Sequence, residues 1–285
     1  MKNKILSRNE EYLLGLQFTD GSILKKPTQY SVYTILFIKE GNGAFKADFG
    51  TFQFKAPAIL FSTPLQILQL QGNFQKITML QFHGDFYCIE YHKKEVACNG
   101  LIFNNIYIEP YISLAPAEAS LFDQIINNLH AELSDQHPAD SVITAYLQLF
   151  LAKATSIKMK SMDSKKEHVA KDEKMEQFKQ SIDEHFLTLR SPSEYARLLY
   201  MAPGTLTKRC NRYFGKSPSH LIQERIILEA KKALHLTRKS IKEIAHSLNF
   251  EDEHYFSRFF KKITKVSPQE FRTRTGISMV ADLSS

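Results

Sequence analysis

The stretch SIKEIAHSLNFEDEHYFSRFFKK, from Ser240 to Lys262, decides the fold of the C-terminal part of this chain. Ser240 and Glu243 have the spacing of a capping box, so a short helix is predicted to begin there. Asn249 follows where the chain must turn, and asparagine accepts a positive φ more readily than most residues. Apolar residues recur at helical spacing from Phe256 onward. The stretch therefore predicts two short helices joined by a tight turn.

A second copy of this pattern lies fifty residues upstream. Ser217-Pro218 falls against Ser267-Pro268, and the sequence SPSE at residues 191–194 offers the same kind of helix start as SIKE. Where the later copy has Asn249, the earlier one has Tyr200-Met201. Residues 218–237 between the copies predict one connecting helix of about five turns. The repeat predicts two helix pairs held apart by a rigid spacer.

Each predicted second helix, at residues 203–213 and 252–262, has an apolar face and a polar face. The apolar faces carry Leu206, Cys210 and Tyr213 in the first helix, and Phe256, Phe259 or Phe260, and Ile263 in the second. The polar faces carry Gly204, Thr205, Thr207, Lys208 and Arg212 in the first, and Glu253, His254, Ser257, Arg258 and Lys261 in the second. A short capped helix before such a helix is typical of the helix-turn-helix, which places its second helix in the major groove of DNA.

The charge distribution supports a nucleic-acid partner. Residues 1–160 carry 14 Lys and Arg against 14 Asp and Glu, whereas residues 173–276 carry 20 against 12, a net charge of +8. A basic half joined to a neutral half predicts that one end meets a polyanion. Lys216, Lys261 and Lys262 are predicted to contact phosphates, and Lys208 and Arg258 to contact bases or phosphates.

The N-terminal half predicts an antiparallel β-barrel or sandwich followed by a helical hairpin. Short runs rich in Phe, Tyr and Ile alternate with turn residues over residues 12–110, and GNG at 41–43 suggests a hairpin turn. Residues 116–158 change to helical period. Residues 159–172 are polar and charged and are predicted to be a linker. The expected organisation is α+β with two domains, at 1–158 and 173–285.

One predicted helix, residues 139–158, is apolar over much of its surface. Val142, Tyr146 and Leu149 form a stripe beside that of Ile143, Leu147 and Phe150. Such a helix packs either against its own sheet and a second chain or simply into its own core, and the sequence leaves both open. The Val142, Tyr146 and Leu149 stripe is therefore a candidate homodimer contact.

The sequence gives only weak indications of other binding sites. By alternation Tyr33, Phe37 and Phe82 are candidate lining residues of a ligand pocket, with His83 beside them, although core packing explains aromatic residues equally well. The ten histidines show no metal-binding spacing, so no metal or cofactor is predicted.

Cys88, Cys98 and Cys210 are expected to be buried thiols in a reducing compartment. No membrane span or signal peptide is recognised, and a cytoplasmic protein is expected.

Residues 191–272 resemble the DNA-binding domain of the AraC/XylS family of bacterial transcriptional regulators. The resemblance is carried by IKEIAHSLNFEDEHYFSRFFKKITKVSPQEFR and by RIILEAKKAL before it. It implies base-facing positions at Gly204, Thr207 and Lys208 in the first recognition helix and at Glu253, His254, Ser257 and Arg258 in the second. Two departures from the family pattern are Ala202, where a capping serine is usual, and Gly204, which has no side chain.

The N-terminal half is similar, more loosely, to the cupin-like sensor domain of the same family, mainly over YTILFIKEGNGAFKADFGTFQFKAPAILFSTPLQ. The resemblance implies a transcriptional regulator that reads DNA in two successive major-groove turns and responds to an effector or to dimerisation. RNA polymerase is a possible further partner. The alternatives are a cupin-type enzyme with a helical appendage, which lacks the ligand histidines, and a basic protein that coats DNA without specificity.

Overall fold

The computed structural model describes residues 4–8, 11–48, 50–87, 89, 101–168 and 172–277. The chain divides into two compact units. The N-terminal unit comprises residues 1–105 and 110–162, and the C-terminal unit comprises residues 106–109 and 163–285. An antiparallel sheet with two helices forms the first unit and helices form the second, so the predicted α+β class is confirmed.

The sheet of the N-terminal unit contains seven antiparallel strands in the order β1-β2-β6-β3-β5-β7, with β4 paired to β3. Two of these strands lie outside the predicted range of 12–110. The strands are β1 (Lys4–Arg8), β2 (Glu11–Thr19), β3 (Tyr33–Ala47), β4 (Gly50–Lys55), β5 (Ala58–Ser62), β6 (Leu68–Phe82) and β7 (Tyr111–Ser113), with a 3₁₀ helix at Ser22–Lys25. Helices α1 (Pro116–Glu132) and α2 (Asp140–His168) follow.

The two faces of the sheet bury two separate cores. Ile35 and Phe37 of β3 point to the face that packs against α1 and α2, and join a cluster that includes Phe122 and Phe150 of those helices. The intervening Leu36 joins a second cluster formed by β3 to β6 and the 3₁₀ helix. Because strand side chains alternate, a strand buried on both faces reads as a continuous apolar run, as YTILFI does.

The GNG segment is not a hairpin turn. Residues 41–43 continue β3 and pair with residues 72–74 of β6. Gly41 and Gly72 have φ of 102° and 126°, and a Cβ built at Gly41 would lie 2.1 Å from the carbonyl oxygen of Asn73. The glycines therefore permit a close approach of two long strands. The chain reverses instead between β3 and β4, where Asp48 has φ of 46°.

Helix α2 also departs from the sequence prediction. It continues to His168, so residues 159–168 of the predicted linker are helical, and residues 169–171 lie outside the described part of the chain. Lysine, methionine and glutamate are good helix formers, and extending an existing helix costs little compared with nucleating one. The continuation of α2 was not predicted because residues 159–168 are polar and show no apolar stripe. The boundary between the two units falls within this helix, after residue 162.

The C-terminal unit contains seven described helices. They are α3 (Glu173–His185), α4 (Pro192–Leu198), α5 (Pro203–Phe214), α6 (Pro218–Leu236), α7 (Ile241–Ser247), α8 (Glu253–Thr264) and α9 (Pro268–Thr275). Helices α5 and α8 are separated by fifty residues at both ends, as are the starts of α6 and α9. The internal repeat of the sequence is thus a repeat of structure. Among the described residues, no helix combines the length and the apolar character needed to cross a bilayer.

Replacing Gly41 by alanine tests the close approach of β3 and β6. We expect Gly41→Ala to lower the free energy of unfolding of the N-terminal unit by about 1–3 kcal/mol, because the new methyl group clashes and the positive φ is strained. Chemical denaturation followed by circular dichroism measures the change. The neighbouring Asn42→Ala is the control, because Asn42 is exposed and has no positive φ. Equal stabilities for the two variants would refute this account of Gly41.

Candidate nucleic-acid interface

Each helix-turn-helix motif turns on one residue in the left-handed conformation. Tyr200 has φ of 54° after α4, and Asn249 has φ of 58° after α7. Met201 N donates to Ala196 O at 2.8 Å, and Phe250 N donates to Ala245 O at 2.9 Å. This six-to-one bond is the signature of a Schellman C-cap. Both motifs therefore end their first helix in the same way, although a tyrosine in the first motif occupies the strained position.

Capping boxes start the first helix of each motif, as predicted. Ser191 N donates to Glu194 Oε2 at 2.7 Å at the start of α4, and Ser240 N donates to Glu243 Oε2 at 2.7 Å at the start of α7. In the second box the return bond also forms, from Glu243 N to Ser240 Oγ at 3.2 Å. These bonds satisfy backbone donors that the first turn of a helix leaves unpaired.

The two recognition helices are capped unequally. Asp252 accepts bonds from His254 N at 3.0 Å and Tyr255 N at 2.9 Å at the start of α8. The bond from His254 is the main reason that the pKa of the Asp252 carboxyl lies below its usual range. Ala202 occupies the same position before α5 and has no side-chain acceptor. Helix α5 therefore begins with backbone donors that only solvent or a bound ligand can satisfy.

The buried faces of α5 and α8 follow the predicted periodicity closely. Leu206 and Cys210 are buried in α5 and Phe256 and Ile263 in α8. Phe214 and Phe260 complete these faces, whereas Tyr213 and Phe259 are half-buried. Burial raises the pKa of the Cys210 thiol to about 12, so the thiol is protonated and unreactive at neutral pH. Cys88 and Cys98 lie outside the described residues.

The opposite faces of α5 and α8 carry the predicted contact residues on the surface. The exposed ones are Gly204, Thr205, Thr207, Lys208 and Arg212 on α5, and His254, Arg258, Lys261 and Lys262 on α8, whereas Glu253 and Ser257 are half-buried. The Arg258 side chain is 71% exposed and lies 3.9 Å from Asp252, a loose surface pair that leaves the guanidinium accessible. Nothing lies within 4 Å of a Cβ built at Gly204. Each helix thus presents a polar, partly basic ridge.

Lys216 does not belong to this surface. It is buried, and its Nζ lies 2.7 Å from Glu224 Oε2 and 3.0 Å from Ile106 O, in the same C-terminal unit. A buried lysine needs a paired charge and hydrogen bonds, and these partners supply both. The prediction that Lys216 contacts phosphate is therefore wrong. The sequence could not show that a lysine just after the C-cap Gly215 would fold inward onto α6.

Other basic side chains of the C-terminal unit also hold its helices together. Arg209 of α5 donates to both oxygens of Asp172, its Nε at 3.0 Å from Oδ2, and lowers the pKa of that carboxyl. Arg225 of α6 lies 3.0 Å from Asp183 Oδ1, and its guanidinium carbon is 4.0 Å from the ring centroid of Phe186. Arg209 and Arg225 are therefore structural, unlike the exposed basic residues on α5 and α8.

Tyr255 is a candidate contact residue that the sequence analysis missed. It lies in the first turn of α8 and is 57% exposed, while its ring centroid is 5.8 Å from that of Phe250. An exposed aromatic ring anchored on a recognition helix can pack against sugar or thymine methyl groups. Its position next to His254 was the available signal, but the sequence analysis assigned Tyr255 to neither face of the helix.

The candidate ligand residues of the N-terminal unit are packed against other side chains. Tyr33 and Phe82 stack at 5.1 Å between ring centroids, and Phe37 lies 6.3 Å from Phe122 of α1. All three aromatic residues belong to the core between the sheet and the helices. His83 is half-buried, and its Nδ1 lies 3.3 Å from Asp85 N. The three rings therefore contact other core side chains, and their role in ligand binding stays a prediction.

The candidate dimer stripe is partly exposed. Val142 and Leu149 of α2 are 37% and 41% exposed, and Tyr146 between them is half-buried. Ile143, Leu147 and Phe150 on the adjoining stripe are buried in the core of the unit. The sequence was compatible both with a dimer contact and with packing into the chain's own core. Within a single chain, the stripe of Ile143, Leu147 and Phe150 is buried, while the other stripe is partly exposed.

Comparison with known proteins identifies the C-terminal segment. Residues 195–274 match a family model described as a helix-turn-helix domain. The Arabinose operon regulatory protein of Escherichia coli (strain K12) is 28% identical over 170 residues, which cover 59% of this chain and 56% of that protein. The segment is a helix-turn-helix domain. The matched residues contain α5 and α8 and the helices between them.

Two further similarities extend the comparison. The Arabinose operon regulatory protein of Salmonella typhimurium (strain LT2) is 33% identical over 90 residues, 32% of this chain and 31% of that protein. Apo ToxT from Vibrio cholerae is a solved structure with a TM-score of 0.42 and 18% identity, covering 94% of this chain and all of that chain. The protein spans about half the length of the first curated relative that it matches, and less of the second.

Exchanging the caps of the two recognition helices tests their inequality. We expect Asp252→Ala to lower and Ala202→Ser to raise the free energy of unfolding of the C-terminal unit by about 1 kcal/mol each, because a side-chain acceptor at the N-cap satisfies a backbone donor. Thermal unfolding of the full chain measures both changes. Ala202→Val is the control, since valine offers no acceptor. A serine variant no more stable than the valine variant would show that solvent already satisfies the start of α5.

Proposed function

We propose that the protein is a transcriptional regulator that binds DNA through α5 and α8 of its AraC-type domain. The observation that carries the proposal is the pairing of two helix-turn-helix motifs, fifty residues apart, whose second helices expose polar and basic ridges. Two of the named relatives are, by name, regulatory proteins of the arabinose operon. No enzyme is among those relatives, and the model of an enzyme with a helical appendage has no observation in its favour.

The proposal assigns each recognition helix to its own turn of the major groove. Helix α6 packs against α4 and α5 of the first motif and against α7 and α9, so one chain holds both motifs on one scaffold. Recognition helices about 34 Å apart would read two successive turns on one side of the duplex. Lys208 and Arg258 are the proposed base or phosphate contacts, with Lys261 and Lys262 on the phosphates.

Helix α5 is proposed to make fewer base contacts than α8. Gly204 offers no side chain, and the Thr207 hydroxyl donates within its own helix to Pro203 O at 3.0 Å. The free backbone donors at the start of α5 nevertheless suit a phosphate oxygen, because a helix N-terminus favours an anion. The first motif would then position the protein more than it reads sequence, while Glu253, His254, Ser257 and Arg258 of α8 carry most of the discrimination.

Removing one exposed cation from each recognition helix tests this assignment. Selection of bound sequences from a random DNA pool first defines the site. We expect Arg258→Ala to weaken binding to that site by about 1 to 3 kcal/mol and to relax the bases read by α8, and Lys208→Ala to do the same for the other block. Titration with labelled DNA at several salt concentrations gives both effects.

The control is Arg274→Ala, which removes an exposed arginine of α9 that is paired with Glu270 outside both recognition helices. Equal losses for Arg258→Ala and Arg274→Ala would exclude a specific contact by Arg258. If the protein binds all sequences alike with a steep salt dependence, the nonspecific coating protein becomes the correct description.

The N-terminal unit is proposed to modulate DNA binding by holding a homodimer or by binding a small-molecule effector. Val142 and Leu149 on the outer stripe of α2 support the dimer, because two exposed apolar residues one heptad apart suit packing against a second helix. The packed aromatic residues around Tyr33 and Phe82 give no support to an effector site at that position. RNA polymerase is a further proposed partner.

A charge on the outer stripe of α2 tests the dimer. We expect Leu149→Glu to convert a dimer into monomers with little change in unfolding temperature, because Leu149 is exposed in the single chain while a buried carboxylate would oppose association. Sedimentation velocity measures the change in mass. Asn127→Glu on the exposed side of α1 is the matched control. A Leu149→Glu variant that remains dimeric would exclude this stripe.

A further inference from the structure

Arg190 connects the two helix-turn-helix motifs directly. It precedes Ser191, the N-cap of α4, and its backbone N donates to Glu194 Oε2 at 3.0 Å, so its main chain is fixed by the capping box of the first motif. Its side chain reaches the turn of the second motif, where Nη2 donates to Leu248 O and approaches Asn249 O at 3.5 Å. One residue thus spans from the start of α4 to the end of α7.

A second hydrogen bond crosses the same gap in the opposite direction. Asn249 Nδ2 donates to Leu187 O at 3.0 Å. Leu187 and Arg190 both lie in the connection between α3 and α4. Asn249 therefore does two things in the turn of the second motif: it adopts the left-handed φ of 58°, and its amide ties that turn to the first motif. Tyr200, at the equivalent turn of the first motif, is instead 96% exposed.

The contact continues from the turn into the recognition helix through Phe250. The Arg190 guanidinium carbon lies 4.6 Å from the centroid of the Phe250 ring. Phe250 is buried, and its ring centroid lies 5.2 Å from that of Phe256 and 5.4 Å from that of Phe259, both on α8. A flat guanidinium stacked on a buried ring resists tilting more than an ammonium would. A movement of α8 would therefore disturb the contact of Phe250 with Arg190.

We propose that Arg190 and Asn249 form a clasp that sets the angle and distance between the two recognition helices, and so determines which spacing between two DNA blocks the protein accepts. The inference rests on the proposed DNA-binding function. Helix α6 joins the two motifs through the chain and packs against helices of each. The clasp adds a second attachment, between the α3–α4 connection and the turn from α7 to α8. This attachment would hold α5 and α8 as one rigid body.

The clasp is tested first without DNA. Spin labels are placed on cysteines introduced at the exposed positions Asn211 of α5 and Lys261 of α8, with Cys88 and Cys98 replaced by serine and labelled chains diluted with unlabelled protein. Pulsed dipolar spectroscopy then gives the distribution of distances between the helices. We expect the distribution to broaden in Asn249→Gly, which keeps the positive φ but loses the amide donor, and in Arg190→Lys, which keeps the charge but loses the planar fork.

The matched control is Tyr200→Gly, which makes the same kind of change in the turn that has no clasp. Its distribution should keep the width of the unmodified protein. A distribution of unchanged width in both Asn249→Gly and Arg190→Lys would overturn the proposal, even if both variants were less stable. Since this measurement uses no DNA, its outcome does not depend on whether the protein binds a specific site.

The functional consequence is tested on the selected site with one base pair inserted between its blocks. We expect the unmodified protein to lose about tenfold in affinity or more, because the insertion moves one block along and around the duplex away from its recognition helix, and the clasp variants to lose much less. Equal losses for all proteins would refute a role in spacing. If the unmodified protein selects no site at all, the proposed DNA-binding function fails while the spin-label result still decides whether the clasp exists.

Discussion

The geometry of both recognition helices depends on a single left-handed residue in each motif. Tyr200 and Asn249 let the chain leave α4 and α7 through a Schellman cap, whose closing bond runs to Ala196 and Ala245. An alanine at that position keeps the helix surface low where the next helix crosses it. Without this turn the buried residues of α5 and α8 would not reach the core, and their polar faces would not point outward together.

Such a turn favours glycine or asparagine, and the two motifs meet this requirement differently. A β-carbon in the left-handed region costs roughly 1–2 kcal/mol, less for asparagine. Asn249 offsets its cost with a hydrogen bond to Leu187 O, whereas Tyr200 points into solvent. The first motif also lacks a side-chain cap at Ala202. The turn and the recognition-helix cap of the second motif are therefore the better determined of the two.

The positive charge of the C-terminal unit serves two purposes. Arg190, Arg209 and Arg225 are committed to carboxylates, carbonyl oxygens or aromatic rings inside the unit, and Lys216 is buried beside Glu224. Arginine suits such positions because its planar fork donates several bonds at fixed angles. The exposed cations, among them those on α5 and α8, are accessible to a polyanion. Counting basic residues along the sequence indicated the kind of partner but overestimated how many of them face it.

The sequence by itself determined the elements whose signals are local. The capping boxes at Ser191 and Ser240, the apolar periodicity of α5 and α8 and the fifty-residue repeat all depend on residues within a few turns of one another, and each predicted structure is present. Only the tertiary structure decided features that join distant residues. The GNG segment lies within β3 because β6 pairs with it, Lys216 is buried because Glu224 and Ile106 accept its bonds, and Arg190 meets Asn249 across 59 positions. Local patterns report the backbone conformation of one segment, whereas burial and pairing depend on which other segment packs against it.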